Sequence, residues 1–179
     1  MSYEFRRDNR TDEEFAEDIK HTTRKERFLV ELFKKEMEGR GHTVEIEDNG
    51  VDNTGEIVME GSTAADFILT INTLEYKTEV KNSPSDRKCT FKVHNMQKYA
   101  ANDTYILLFH STGNINRDTS KFKKKEARWA WITPEKIGDM LEDKKNDFYK
   151  DKYFGYKEVL QITPREYSKY FDSREFKHI

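Results

Sequence analysis

The chain has 179 residues, 35% of them apolar and 13% aromatic, which is enough to bury one core, so a single domain spanning 1–179 is expected. Its 32 basic and 34 acidic side chains leave a formal charge of -2. That excludes a blanket attraction to nucleic acid or to an anionic membrane, so any polyanion has to be met by a local patch or a bound cation. The single cysteine, Cys89, excludes an internal disulfide, and no apolar run follows the opening MSYEFRRDNR; a cytoplasmic protein without a membrane segment is expected.

Residues 12–38 place Phe15, Ile19, Phe28, Leu29, Leu32, Phe33 and Met37 at helical spacing, with Gly39 and Gly41 as a stop. The pattern predicts a long amphipathic helix broken near His21-Thr22-Thr23. HTVEIED (42–48) alternates as a strand does and EIVME (56–60) reads as another, with the turn-rich DNGVDNTG between them. DFILTI and LEYKTEVK follow as two strands, NSPSDRK interrupts, VHNMQKYAA reads as a short helix and TYILLFH (104–110) as a buried strand. The polar segment STGNINRDTSKFKKKE is long for a loop in a compact domain, which points to a functional or disordered segment. Beyond it ARWAWI (127–132) reads as a strand. ITPEKIGDML and ITPREYSKYF then share a grammar in which Thr133 or Thr163 caps a helix beginning at Pro134 or Pro164, and Glu166 completes a capping box. Between them LEDKKNDFYKDKYFGYK has no clear period and reads as a linker or irregular excursion. Its aromatics, Phe148, Tyr149, Tyr153, Phe154 and Tyr156, either cover the sheet or make a subunit contact.

The stretch ADFILTINTLEYKTEVKNS (65–83) carries the chemistry. With a two-residue turn at Asn72-Thr73, antiparallel partners have numbers summing to 145, and Asp66 falls opposite Glu79 on one face of the hairpin. Phe67, Leu69, Ile71, Leu74, Tyr76 and Val80 form the core face; Asp66, Ile68, Thr70, Glu75, Lys77, Glu79 and Lys81 form the other. Two carboxylates roughly 5 Å apart repel by about 3 kcal/mol at an effective dielectric near 20, and a divalent cation between them reverses the sign. Hard oxygen ligands suit Mg²⁺, which takes one or two carboxylates plus phosphate oxygens. A lysine two residues on, facing the same way, can hold or help deprotonate a water. The same residues also fit a solvated polar face. Acid-x-Lys triplets begin at Asp18, Glu75, Asp86, Glu142, Asp143 and Glu175 as well, and a three-residue loop would send Asp66 to the opposite face from Glu79.

The order helix, strand, Asp-bearing strand, Glu-x-Lys strand, helix, strand over about residues 24–110 resembles the PD-(D/E)XK nuclease superfamily. The run KERFLVELFKKEMEGRG is similar to the first helix of archaeal-type Holliday-junction resolvases, where a Glu opens an apolar stripe, here Leu29, Val30, Phe33 and Met37. The resemblance implies a restriction-endonuclease-like α/β fold, a central mixed sheet flanked by helices with C-terminal strand and helix additions, its core at about 12–133 and an extension at about 134–179. It implies an Mg²⁺-dependent endodeoxyribonuclease, Mn²⁺ substituting, with DNA as partner and room for a homodimer. Asp66 and Glu79 would bind the metal with the Val80 carbonyl, Lys81 would assist the water, and Glu26, with Glu31 as runner-up, would be the helix acid. Ala65 departs from the family's Pro, and the spacing of Gln97 and Tyr99 departs from the Q-x-x-x-Y of RecB-like exonucleases. Gln97 stays a candidate for nucleic-acid contact, and Tyr99 reads as packing. The alternatives are a catalytically inactive domain of this fold that binds DNA or a protein, and an unrelated α/β interaction domain.

Lys121, Lys123, Lys124 and Lys125, with Arg128, could neutralise phosphates or simply solvate a loop tip. Trp129 and Trp131 share a sheet face, for base stacking or for core. Cys89 reads as a small buried side chain, and His21, His42, His94, His110 and His178 show no zinc-ligand spacing.

Overall fold

The computed structural model describes residues 11–49, 65–83 and 87–179. It begins with α1 (Asp12–Gly39), whose start is fixed by a capping box: the Glu14 N–H donates to the Thr11 hydroxyl (3.2 Å) and the Thr11 N–H to the Glu14 carboxylate (2.8 Å). The expected break near His21-Thr22-Thr23 is absent. Two threonines cost a helix only a few tenths of a kcal/mol each; within the helix His21 lies 3.3 Å from Glu17, and from outside it Arg117 grips Asp18 at 2.5 Å.

Among the described residues six strands form a mixed sheet in the order β1-β2-β3-β5-β6-β9: β1 (Val44–Asp48), β2 (Phe67–Ile71), β3 (Leu74–Ser83), β5 (Tyr105–His110), β6 (Arg128–Ile132) and β9 (Arg174–Glu175). Only β3 and β5 run parallel, joined through β4 (Cys89–Lys92) and α2 (Val93–Ala101), as a parallel pair requires. The predicted hairpin register holds, with Ile71 opposite Leu74 and Phe67 opposite Thr78. β3 continues through Asn82 and Ser83, where the sequence pattern placed an interruption. The expected strand at 56–60 and most of the turn before it lie outside the described residues.

One face of the sheet buries Phe67, Leu69, Val80, Leu107, Phe109 and Trp129 against Leu29, Val30 and Phe33 of α1. Leu74, expected on this core face, is 61% exposed because it sits at the hairpin tip, beyond the reach of α1. Trp129 and Trp131 belong to the α1 side: Phe33 meets Trp129 edge-on at 5.1 Å and stacks on Trp131 at 5.7 Å, so they are core. The other face packs Ile106, Leu108 and Ile132 against α2, α3 (Pro134–Lys144) and a second, three-stranded sheet in the order β4-β8-β7. β8 (Lys157–Ile162) and β7 (Tyr149–Asp151) form a hairpin where the sequence suggested an irregular excursion. Thr133 caps α3 as expected. The Thr163–Glu166 capping box is present too, but it starts only a 3-10 turn and the short α4 (Tyr167–Tyr170). Cys89 is buried, and its thiol donates to the Tyr167 hydroxyl at 3.5 Å. No helix among the described residues is long and apolar enough to cross a membrane.

Candidate active site

Asp66 stands at the entry to β2 and Glu79 in the middle of β3; one more step of the hairpin register sets them against each other. Asp66 is fixed by its own backbone and side chain: its carbonyl accepts from the Asn49 N–H (3.1 Å), and its carboxylate accepts from the Val80 N–H (2.8 Å). Burial raises the Asp66 carboxyl, the facing Glu79 raises it further, and Lys81 and the Val80 N–H only partly offset this, leaving it pushed up to about 7.

Glu79 is 7% exposed and is engaged by two donors, the Lys81 ammonium and the Tyr99 hydroxyl. Lys81 projects to the same face as Glu79, with its nitrogen 5.9 Å from the centre of the Tyr99 ring. Burial alone would lower the lysine, but Glu79, Tyr99 and Asp66 outweigh it and hold it above the ordinary lysine range. Lys81 is therefore an ammonium here, a hydrogen-bond donor and a fixed positive charge.

The fourth group comes from α1. Glu26 is pushed up to about 8, by burial first and then by Asp66 and Glu79, against the opposing charges of Lys81 and Lys25. Lys25, lowered by burial and by Lys81, reaches back to donate to Asn116 at 3.2 Å. Glu31, the runner-up, is committed elsewhere, paired with Arg27 at 2.9 Å; Arg27 also holds Asp48. The Val80 side chain is core, and Gln97 is exposed on α2.

Lys121, Lys123, Lys124 and Lys125 are exposed on the loop between β5 and β6. That loop lies along α1: Phe122 meets Phe28 edge-on at 5.6 Å, Ile115 is buried, and the Lys25–Asn116 contact ties it to the acids. A Cβ on Gly113 would lie 2.0 Å from the Lys121 carbonyl oxygen, so this path of the loop depends on a glycine there.

Sequence reasoning missed two participants. Tyr99, read as packing, is buried but places its hydroxyl on Glu79; Lys25 is coupled to Glu26. Lys25 adjoins Glu26 in the chain, which was the available signal. Tyr99 had none, because α2 faces Glu79 only once the β3-to-β5 crossover has formed.

The donor set is suited to a hard divalent cation. Two carboxylates face each other, both buried enough to be costly as bare anions, and Mg²⁺ needs one or two from the protein with water and phosphate oxygens completing its shell. Among the described residues no three His, Cys, Asp or Glu side chains form a ready-made cage. A cavity of about 230 Å³ adjoins Lys81 and Tyr99, walled by Lys92, Asn95, Met96 and Phe154. A larger cleft of about 760 Å³, beside His110 and Tyr167, contains none of the four candidate catalytic side chains. No protein-family model matches the chain, and no curated protein matches it in sequence.

Proposed function

We propose that this protein is a metal-dependent phosphodiesterase of the PD-(D/E)XK type, built on a restriction-endonuclease-like core and cutting DNA. The observation that carries the reading is the meeting of Asp66 and Glu79 on one sheet face, with Lys81 beside them and Glu26 brought in from α1. Asp66, Glu79 and the Val80 carbonyl would hold Mg²⁺ or Mn²⁺. When bound, such an ion supplies positive charge to a phosphate and acidifies a water.

The remaining roles fall to the chain itself. The Val80 N–H and the Asn49 N–H hold Asp66 rigid, so its carboxylate does not have to be ordered when substrate arrives. Lys81 offers an ammonium that donates to a water or to a phosphate oxygen and supplies a charge where negative charge builds up. Tyr99 keeps Glu79 oriented. Glu26, its carboxyl pushed up to about 8 by burial first, can return a proton to the leaving oxygen and, once ionised, accept one from a water. Lys121 to Lys125 and Gln97 would meet the flanking phosphates, each phosphate contact steepening the salt dependence of binding.

Purified protein incubated with Mg²⁺ or Mn²⁺ and a panel of plasmid, linear, branched and single-stranded DNA tests this. Cleavage should require the ion and should fall by at least about a hundredfold in Lys81→Ala and in Asp66→Asn. DNA binding in Lys81→Ala should stay within about threefold, because one contact among several is lost. A second reading, a silent nuclease-fold domain that binds DNA, draws on Lys81 and Tyr99 both occupying Glu79. DNA binding with no cleavage of any substrate by the unmodified protein would favour it.

A further inference from the structure

The β7–β8 hairpin presents aromatic side chains to solvent beside the candidate active site. Tyr153 is 85% exposed, Tyr156 58% and Tyr149 40%; with Leu74 these are the exposed large apolar side chains among the described residues. Their backbone is fixed. The Tyr153 N–H donates to the Asp151 carboxylate and the Tyr156 N–H to the Asp151 carbonyl, both at 2.8 Å, and Gly155 and Tyr156 turn the chain with positive φ. A rigid tip that keeps large rings in water loses little entropy when a flat ligand stacks on it.

Charge follows the same surface. Lys92 and Tyr149 both lie opposite Val159 of β8, and Lys157 is two residues along that strand, so the four share one face of the small sheet. The Lys92 ammonium sits 5.9 Å over the Phe154 ring and the Lys152 ammonium 5.0 Å from the Tyr153 ring. Phe154 and Lys92 also wall the 230 Å³ cavity that reaches Lys81 and Tyr99, so this face is continuous with the site. Lys92 is lowered by burial and then by Lys157 and Lys81, a crowding of like charges that phosphate would relieve.

A duplex keeps its bases stacked on one another and cannot lend them to tyrosine faces; an unpaired strand can, with its phosphates tracking the lysines. We propose that the outer face of the β4-β8-β7 sheet and its tyrosine tip hold an unpaired stretch of DNA and lead it toward Lys81, so that the substrate carries a single-stranded segment next to the bond cut. The route to the cut rests on the phosphodiesterase reading; the binding surface does not.

Fluorescence anisotropy of the full chain in EDTA separates the two, because hydrolysis is off. The probes are a labelled oligo-dT of about 15 nucleotides, a blunt duplex of the same length and a matched oligo-rU. Oligo-dT should bind more tightly than the duplex. Tyr153→Ala/Tyr156→Ala, both surface changes, should weaken oligo-dT at least about tenfold and the duplex less than about twofold. Lys157→Ala should lower the salt slope for oligo-dT by about 0.7. The proposal is overturned if the duplex binds better, if both probes weaken alike, if oligo-rU binds and oligo-dT does not, or if the tyrosine changes alter only self-association in sedimentation. Tyrosine-dependent binding in a protein that cuts nothing with Mg²⁺ would remove the enzyme and keep the platform. Cleavage of single-stranded substrates unchanged in the tyrosine variant would do the reverse.

Discussion

Glu26 and Asp66 are carboxyls held above the ordinary carboxylate range, so the folded protein binds protons that the unfolded chain releases. Between about pH 4, where an unfolded carboxylate titrates, and about pH 8, the Glu26 value, the native state carries more protons than the unfolded one. Stability of the metal-free protein therefore falls as pH rises across that window. Glu26→Gln removes one of the two contributions. Urea midpoints in EDTA should decline less steeply from about pH 5 to about pH 8 in the variant, and equal slopes would refute the assignment. The same arrangement explains why Lys81 stays charged: Glu79, Tyr99 and Asp66 together outweigh the cost of burying its ammonium.

At the scale of elements, the hairpin is what brings the acids together, and its turn is a type I′ geometry with positive φ at Asn72 (49°) and Thr73 (84°). Asn72 suits that conformation and is secured from outside: its side chain accepts from the Thr43 N–H at 2.9 Å and lies 2.6 Å from His42. Thr73 does not suit it, since a β-branched residue at positive φ is strained by about 1–2 kcal/mol. Thr73→Gly relieves the strain but adds disorder to the unfolded chain. A net gain of about 0.5–1 kcal/mol is expected from urea unfolding, with the hairpin register unchanged. A loss of stability would mean that the Thr73 side chain contributes more than its backbone costs. The loop between β5 and β6 is ordered by the same logic of outside anchorage, through Phe122 on Phe28 and Arg117 on Asp18.

At the scale of the molecule, the C-terminal segment closes on one buried carboxylate near the end of α1. Glu36 of α1 is fully enclosed and accepts from the backbone N–H groups of Lys177 (2.9 Å) and His178 (2.7 Å) and from Arg40 (2.9 Å). Gly39, one turn on, leaves room for His178, whose Cβ would lie 2.3 Å from a Cβ added there. Glu36→Ala leaves three donors without an acceptor and should cost about 3–5 kcal/mol. Burial alone would raise Glu36, but the His178 and Lys177 N–H groups and Arg40 outweigh it and hold it below the usual carboxylate range. Its contribution is thus complete above the unfolded value of about 4.3 and fades as pH drops through the lower folded one. The gap in urea midpoint between the unmodified protein and Glu36→Ala should be widest near neutrality and narrow below about pH 4; a gap independent of pH would assign Glu36 a packing role instead.

Local chemistry was legible in the sequence because it acts over a few residues. The apolar stripe of α1, the alternation of β2 and β3, the Asn72-Thr73 turn and the threonine caps at 133 and 163 all follow from neighbours in the chain, and the turn alone fixes Asp66 against Glu79. β4, β7 and β9 were invisible because each has four residues or fewer and gains strand conformation only from its partner. The contact of Arg117 with Asp18 of α1 joins residues nearly a hundred positions apart. Tertiary structure likewise decided that Tyr99 reaches Glu79 and that Phe154 walls the cavity beside Lys81, since these meetings cross between elements whose packing no local pattern encodes.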